Sequence, residues 1–186
     1  MPARKKSNPP GRIKIMKAFS DLVSQKDFHS ITTAQIARDA GVTEGLIYKY
    51  FSDKKDLLYQ VLDEHFYEFQ AKLKHRVDNE TGAIRKLDVI IYSSLESYAE
   101  NRILSKILLL EVRNAEPYFT SSAYKRVQKY ARTILDIIEQ GRKDGELRDD
   151  IDSKSLRKVI LGTIEHACLG EIIFGRDVDI DRISSD

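Results

Sequence analysis

The stretch Thr32–Phe51, TTAQIARDAGVTEGLIYKYF, limits what this chain can fold into more than any other. Ile36, Ala37 and Ala40 recur at three- and four-residue spacing and so share one face of a first short helix. Val42, Leu46, Ile47 and Tyr50 do the same for a second. Thr33 and Thr43 are each suited to cap a helix start, and Gly41 can take the left-handed conformation that ends the first helix. Two helices of this length joined by a Gly-containing turn make a helix-turn-helix unit, whose second helix can enter a DNA major groove. Two such short helices cannot close a core. A third must pack across both, and Arg12 to about Gln25 supplies it, with Ile15, Phe19, Leu22 and Val23 at amphipathic spacing.

The remainder reads as helix throughout. Ser52 or Asp53 caps a long fourth helix whose apolar stripe runs from Leu57 through Phe66, Phe69 and Leu73 to about Arg76, so it starts in the head and runs beyond it. Periodic segments follow at Thr81–Ala99, Asn101–Glu116 and Ser121–Lys143. The second of these is apolar nearly all round, hence central, and Pro117 ends it. After an acidic loop, Glu146–Asp152, Ser153 caps a helix that ends near Gly175. No segment alternates like a strand. The expected fold is all-α: a basic arm at 1–11, a three-helix head at 12–55 that extends to about residue 70 with the start of helix four, and a helical body at 56–186.

Charge separates the two parts. Residues 1–55 hold 11 Lys and Arg against five Asp and Glu, whereas the rest holds 20 against 24. A basic head on a mildly acidic body suits phosphate binding at one end, with Arg4, Lys5 and Lys6 of the arm available to add contacts. A single cysteine, Cys168, excludes an intramolecular disulfide and a thiolate zinc cluster. No apolar run reaches the roughly 18 residues a membrane span needs, and the basic, polar N-terminus is not a secretory signal. The expectation is a cytoplasmic protein with no cofactor and no metal.

The helix-turn-helix resembles the DNA-binding domain of TetR-type transcriptional regulators. Ile36, Ala37, Ala40, Gly41, Val42, Thr43, Gly45, Ile47, Tyr48, Tyr50, Phe51, Lys54, Leu57 and Leu58 stand where that family's pattern has matching residues. The resemblance covers roughly residues 12–60, and it implies a body that binds an inducer and dimerises. By carry-over, Thr43, Glu44, Gly45 and Tyr48 sit where base or groove contacts are made, and Tyr48, Lys49, Thr33 and Lys54 where phosphates are met. Gly45 lets a helix backbone approach the groove closely, and Glu44 can accept from a cytosine amino group. Tyr50 and Phe51 read as core aromatics. The segments LLLEVRNAE and ILGTIEHA are similar to parts of the fatty-acid-degradation regulators of this family, which respond to long-chain acyl-CoA.

One head reads only a few base pairs, so a homodimer on a palindromic operator of double-stranded DNA is expected. The family's usual dimer contact is a four-helix bundle of the last two helices of each chain. Here only about a dozen mostly polar residues follow Phe174, so the chain stops short of a final helix or carries a very short one. The expected interface is the Ser153–Phe174 helix, with Val159, Gly162, His166 and Gly170 on it, and Ser121–Lys143 as second contributor. An effector cavity between body helices is expected to draw on Phe66, Phe69, Tyr92, Leu109, Tyr124, and on Leu95, Leu108, Val112, Ile134 and Ile164. Arg113, Glu165 and His166 are polar groups in apolar surroundings; an Arg113–Glu165 pair would satisfy both charges, or one would face a ligand head. The expected function is a ligand-responsive, homodimeric repressor released from its operator by a small apolar effector, lipid-like or an acyl-CoA. The alternative is a protein-interaction module or co-activator without operator binding, against which the basic head argues. Catalysis is not expected: His166 and Cys168 are two apart on a helix and face different ways, and no phosphate loop is present.

Overall fold

A computed structural model of the chain describes residues 9–185, and among these it shows nine α-helices, short 3-10 and π turns and no strand. They form two compact units, Met1–Val61 and Leu62–Asp186. Among the described residues no helix is long and apolar enough to cross a membrane. The arm residues Arg4, Lys5 and Lys6 lie outside the described residues.

In the first unit, α1 (Pro10–Val23) begins two residues before the expected start, because Pro10 at its first turn brings a preset φ and lacks only an N–H that would have no partner there. Helices α2 (Thr33–Ala40) and α3 (Glu44–Tyr50) pack with α1. The cap of α2 is Thr32, not Thr33. Its hydroxyl accepts from the Gln35 N–H while the Gln35 side chain accepts from the Thr32 N–H, satisfying two donors at once. Gly41 ends the helix at φ 64°, a conformation that Gly adopts without strain. Ile15, Phe19, Ile36, Ile47 and Phe51 are all at most 1% exposed and form the core with Leu57 and Leu58, so the unit takes in the start of the fourth helix, to Val61. Those last residues belong to α4 (Lys54–Asp78), capped by Asp53, whose Oδ1 accepts from the Asp56 N–H at 2.8 Å.

The second unit holds the rest of α4, then α5 (Ala83–Glu100), α6 (Arg102–Lys106), α7 (Ser122–Lys143), α8 (Ser153–Phe174) and α9 (Ile180–Ser185). Leu73 and Val77 of α4, Leu87 and Ile90 of α5, and Ile134 and Ile138 of α7 make one apolar cluster. Leu95, Ile164, Cys168 and Ile172 make another, with Val178, Ile180 and Ile183 of the C-terminal segment against it. The final helix is therefore present but only six residues long, and it packs onto α5. Asp152 caps α8, accepting from the Ser155 N–H, and Ser153 is instead its buried first residue, bonded by Arg142.

The segment expected as one helix at 101–116 is broken. After α6 come a π turn (Ile107–Glu111) and two 3-10 turns (Val112–Asn114 and Glu116–Thr120). A π turn carries an extra residue, which rotates all that follows. Leu108 and Arg113 thereby both reach the cavity described below, which an unbroken helix would not bring to the same place.

Gly141 of α7 is buried where α5 begins: a Cβ there would lie 2.3 Å from the Ala83 Cβ and 3.1 Å from Leu147 Cδ1. The first of these is fixed to backbone and cannot swing aside. Gly141→Ala is expected to cost about 1–3 kcal/mol by overpacking, seen as a lower urea midpoint at unchanged slope; an unchanged midpoint would refute the close contact.

Candidate nucleic-acid interface and effector cavity

The starts of α2 and α3 converge. Thr33, the first residue of α2, donates its hydroxyl to Glu44 Oε2 at 2.8 Å, and the Tyr48 hydroxyl lies 3.5 Å from Thr33 Oγ1. Thr43 precedes α3 with extended backbone but its side chain makes no capping bond. Tyr48 is 56% exposed, Lys49 is exposed, and Gly45 sits between them and the helix start with open space where a Cβ would be. Nothing inside the protein requires glycine at 45: its φ is not positive and no neighbour crowds it. Glu44 is oriented by Thr33 rather than left to swing. Tyr50 is half-buried and Phe51 is 1% exposed, with Arg12 stacked 5.6 Å from the Phe51 ring centroid.

Lys54 is not arranged to meet a phosphate. Its ammonium donates to the carbonyls of Ile31 at 2.7 Å and Phe28 at 2.8 Å, reaches that of His29 at 3.4 Å, and lies 4.5 Å from the Phe28 ring centroid. All three donors are spent on the loop before α2. Burial lowers its pKa below the ordinary lysine value. Lys54 is a clamp that holds this loop on α4.

In the second unit, α4, α5, α7 and α8 and the broken segment enclose a cavity of about 110 Å³. Leu62, Phe66 and Phe69 of α4, Leu108 of the π turn, Val127 and Ala131 of α7, and Leu161 and Ile164 of α8 supply its apolar walls. Its polar groups are specific. The Tyr130 hydroxyl and Ser94 Oγ are 2.7 Å apart, and Ser94 donates on to the Ile90 carbonyl at 2.6 Å. Burial pushes the Tyr130 phenol up to about 12 and moves that of Tyr98 upward too, while it lowers the His65 pKa. At neutral pH none of the three is charged. Arg113 donates to both oxygens of Glu165, at 2.9 and 2.5 Å, in a fork that is only half-buried rather than interior. His65, Phe69 and Ser97 also border a wider surface groove of about 990 Å³ between α4 and α5.

On α8 the buried residues Ile164, Cys168 and Ile172 face the core. The opposite side presents Val159 (62% exposed), Gly162, Thr163, His166 and, beyond Gly170, Ile173 and Phe174 (74% exposed). Lys158, Val159, Gly162, Thr163, His166 and Ala167 line a shallow hollow there.

Residues 15–61 match the model of bacterial regulatory proteins of the tetR family, and residues 62–185 that of the YsiA-like protein C-terminal region. The chain belongs to the TetR family. The fatty acid metabolism regulator protein of Bacillus subtilis is 23% identical to it over 180 residues, covering 97% of this chain and 93% of the relative. Among solved structures, FadR from Bacillus subtilis in complex with stearoyl-CoA superposes with a TM-score of 0.82 at 23% identity, covering 93% of each chain. The fatty acid degradation regulator FadR from Bacillus halodurans gives 0.83 at 21% identity, covering 97% and 95%. This chain is thus a TetR-family transcriptional regulator with the family fold, and members of this family are not enzymes.

Set against that TetR fold, the expected ligand residues divide. Phe66, Phe69, Leu108, Arg113, Ile164 and Glu165 line the cavity. Tyr92 does not: it is 36% exposed, with Arg76 5.9 Å from its ring centroid. Leu109, Leu95, Val112 and Ile134 are packing residues elsewhere in the unit. Tyr124 is engaged with Tyr118 and Phe119, at centroid separations of 5.6 and 5.1 Å. His166 is exposed on the outer face of α8, because it lies two residues from both Ile164 and Cys168 and so points away from the core they enter. The lining residues not anticipated include Ser94, Ser97 and Tyr98, whose three- and four-residue spacing puts a polar patch on the otherwise apolar inner face of α5.

Proposed function

We propose that this TetR-family protein is a cytoplasmic, homodimeric repressor that binds a palindromic operator and leaves it when a largely apolar effector enters the cavity. The observation that carries this reading is α4. One continuous helix, Lys54–Asp78, starts within the first unit and supplies Leu62, His65, Phe66, Phe69 and Gln70 to the cavity lining. A ligand that moves that helix has a covalent route to the DNA-binding residues, and it acts to the extent that it binds one arrangement of α4 better than the other.

The effector class is read from the lining: broad apolar walls with a few placed polar groups suit an aliphatic chain with a polar end. At about 110 Å³ the cavity is well below the roughly 300–1,000 Å³ of pockets that enclose a whole small-molecule ligand. A long chain must therefore widen it, and widening is what couples binding to movement of α4. That the Bacillus subtilis neighbour was crystallised with stearoyl-CoA supports a fatty acyl thioester. On the DNA side, Thr43, Glu44, Gly45 and Tyr48 take the groove and Thr33, Tyr48 and Lys49 the phosphates, with the clamp Lys54 contributing only its backbone N–H at the start of α4. The outer face of α8, with Val159, Gly162, His166 and Gly170, is the dimer surface.

Selection of binding sites from random duplexes at physiological salt tests this. An inverted repeat should be enriched, and stearoyl-CoA added to the complex should release it, seen as a fall in fluorescence anisotropy of the labelled duplex. Affinity no better than for unselected DNA would sink the operator reading. A complex indifferent to stearoyl-CoA and to shorter acyl thioesters would sink the effector reading.

A further inference from the structure

The lining of the cavity carries one ionic group, the fork between Arg113 and Glu165. Burial moves its other titratable members further from charging, raising the phenols of Tyr98 and Tyr130 and lowering the imidazole of His65. The side chains of Arg113 and Glu165 are 40% and 33% exposed, so the pair touches both the cavity and solvent. Such an exposed pair adds little to stability. It does, however, hold a planar guanidinium in the orientation that receives two parallel acceptor oxygens, an arrangement any carboxylate or phosphate can take over.

We propose that Arg113 anchors the anionic head group of an aliphatic effector and that Glu165 is the resident counter-ion which this head displaces. This rests on the reading of the cavity as the effector site. The exchange costs little in the pair itself, because one bidentate acceptor replaces another on the same guanidinium. It discriminates among ligands, because an uncharged head cannot compete with a carboxylate for the fork, and a cationic head meets Arg113. The displaced Glu165 sits on α8, one residue from the exposed His166 and on the helix that carries the outward face, so head-group exchange is registered on that helix as well as on α4. The same chemistry is offered by a free fatty acid, through its carboxylate, and by an acyl-CoA, through its phosphates.

Calorimetric titration of the full chain with dodecanoate, dodecanoyl-CoA and dodecan-1-ol decides between these outcomes. The wild-type protein should bind at least one of the two anions about tenfold or more tighter than the alcohol. The pair-neutral variant R113Q/E165Q, which keeps a hydrogen-bonded pair of similar shape, should lose that preference while still binding the alcohol. E165Q alone should bind the preferred anion several-fold tighter, since Arg113 is no longer occupied. Whichever anion loses more affinity in R113Q/E165Q is the source of the head group. An alcohol bound as tightly as both anions, a preference that survives in R113Q/E165Q, or a parallel loss of all three ligands in that variant would overturn the anchor while leaving the cavity reading in place. Binding of none of the three to the wild type would overturn the cavity reading and the anchor with it.

Discussion

Replacing Tyr48 with Ala is expected to lower operator affinity by about 1–3 kcal/mol, tenfold to more than a hundredfold, while changing folding stability by no more than about 0.5 kcal/mol. The two effects separate because Tyr48 is more than half exposed and its hydroxyl makes only a long approach to Thr33, at 3.5 Å. Gly45→Ala sharpens the test, because the two readouts should move in opposite directions. A Cβ at 45 meets nothing in the protein, so the variant gains about 0.5–1 kcal/mol of stability from the loss of a helical glycine. With α3 in the groove as proposed, the same methyl would stand between the α3 backbone and a groove wall, so affinity should fall by roughly tenfold. Urea denaturation and anisotropy titration on one preparation read both quantities. Gly45→Ala with unchanged affinity, or Tyr48→Ala with affinity lost only in proportion to stability, would remove α3 from the groove. Lys49→Ala should act differently, weakening all duplexes alike and lowering the salt slope by about one.

Why this surface was legible and the cavity only half so follows from the range of the interactions involved. The turn at Gly41, the helix lengths and the apolar faces of α2 and α3 depend on residues within a few positions of one another. Where local reading slipped, it slipped between neighbours that can both cap. Thr32 and Thr33, and Asp152 and Ser153, are adjacent competent residues, and the discriminating signal was the third residue onward: Gln35 completes a capping box with Thr32, and Ser155 gives its N–H to Asp152. Lys54 lay beyond such reading, since the carbonyls it holds are 23 to 26 residues away. The broken segment after α6 was hidden for another reason: a run that is apolar on every side looks the same whether its turns are α or π. The cavity combines both difficulties. Phe66, Phe69, Arg113 and Glu165 were visible as large or charged groups in apolar surroundings, but which side of a helix meets a void, rather than a neighbour, is set by how four helices pack. Tyr92 and Tyr124 show the limit, being aromatic and amphipathically placed yet turned elsewhere.

Gly162→Arg is expected to convert the protein to a monomer and to reduce operator affinity on the order of 10²–10⁴-fold, the advantage that joining two heads provides. The substitution is harmless within one chain. Gly162 is exposed in the middle of α8, a Cβ there meets nothing within 4 Å, and arginine is a far better helix former than glycine. The monomer should therefore unfold at an equal or slightly higher urea concentration at protein concentrations too low for the wild type to associate. Its effect must come from outside the chain. At a two-fold interface each residue near the axis faces its own copy, so an arginine at 162 is opposed by a second one and by the Lys158 and His166 that share its hollow. Val159 and Phe174, both largely exposed on this side, would stay in water instead of being buried. Analytical ultracentrifugation reads the mass and anisotropy the affinity. A Gly162→Arg protein that sediments as a dimer and holds the operator would move the interface off α8, and the polar outer face of α7 would be the next place to look.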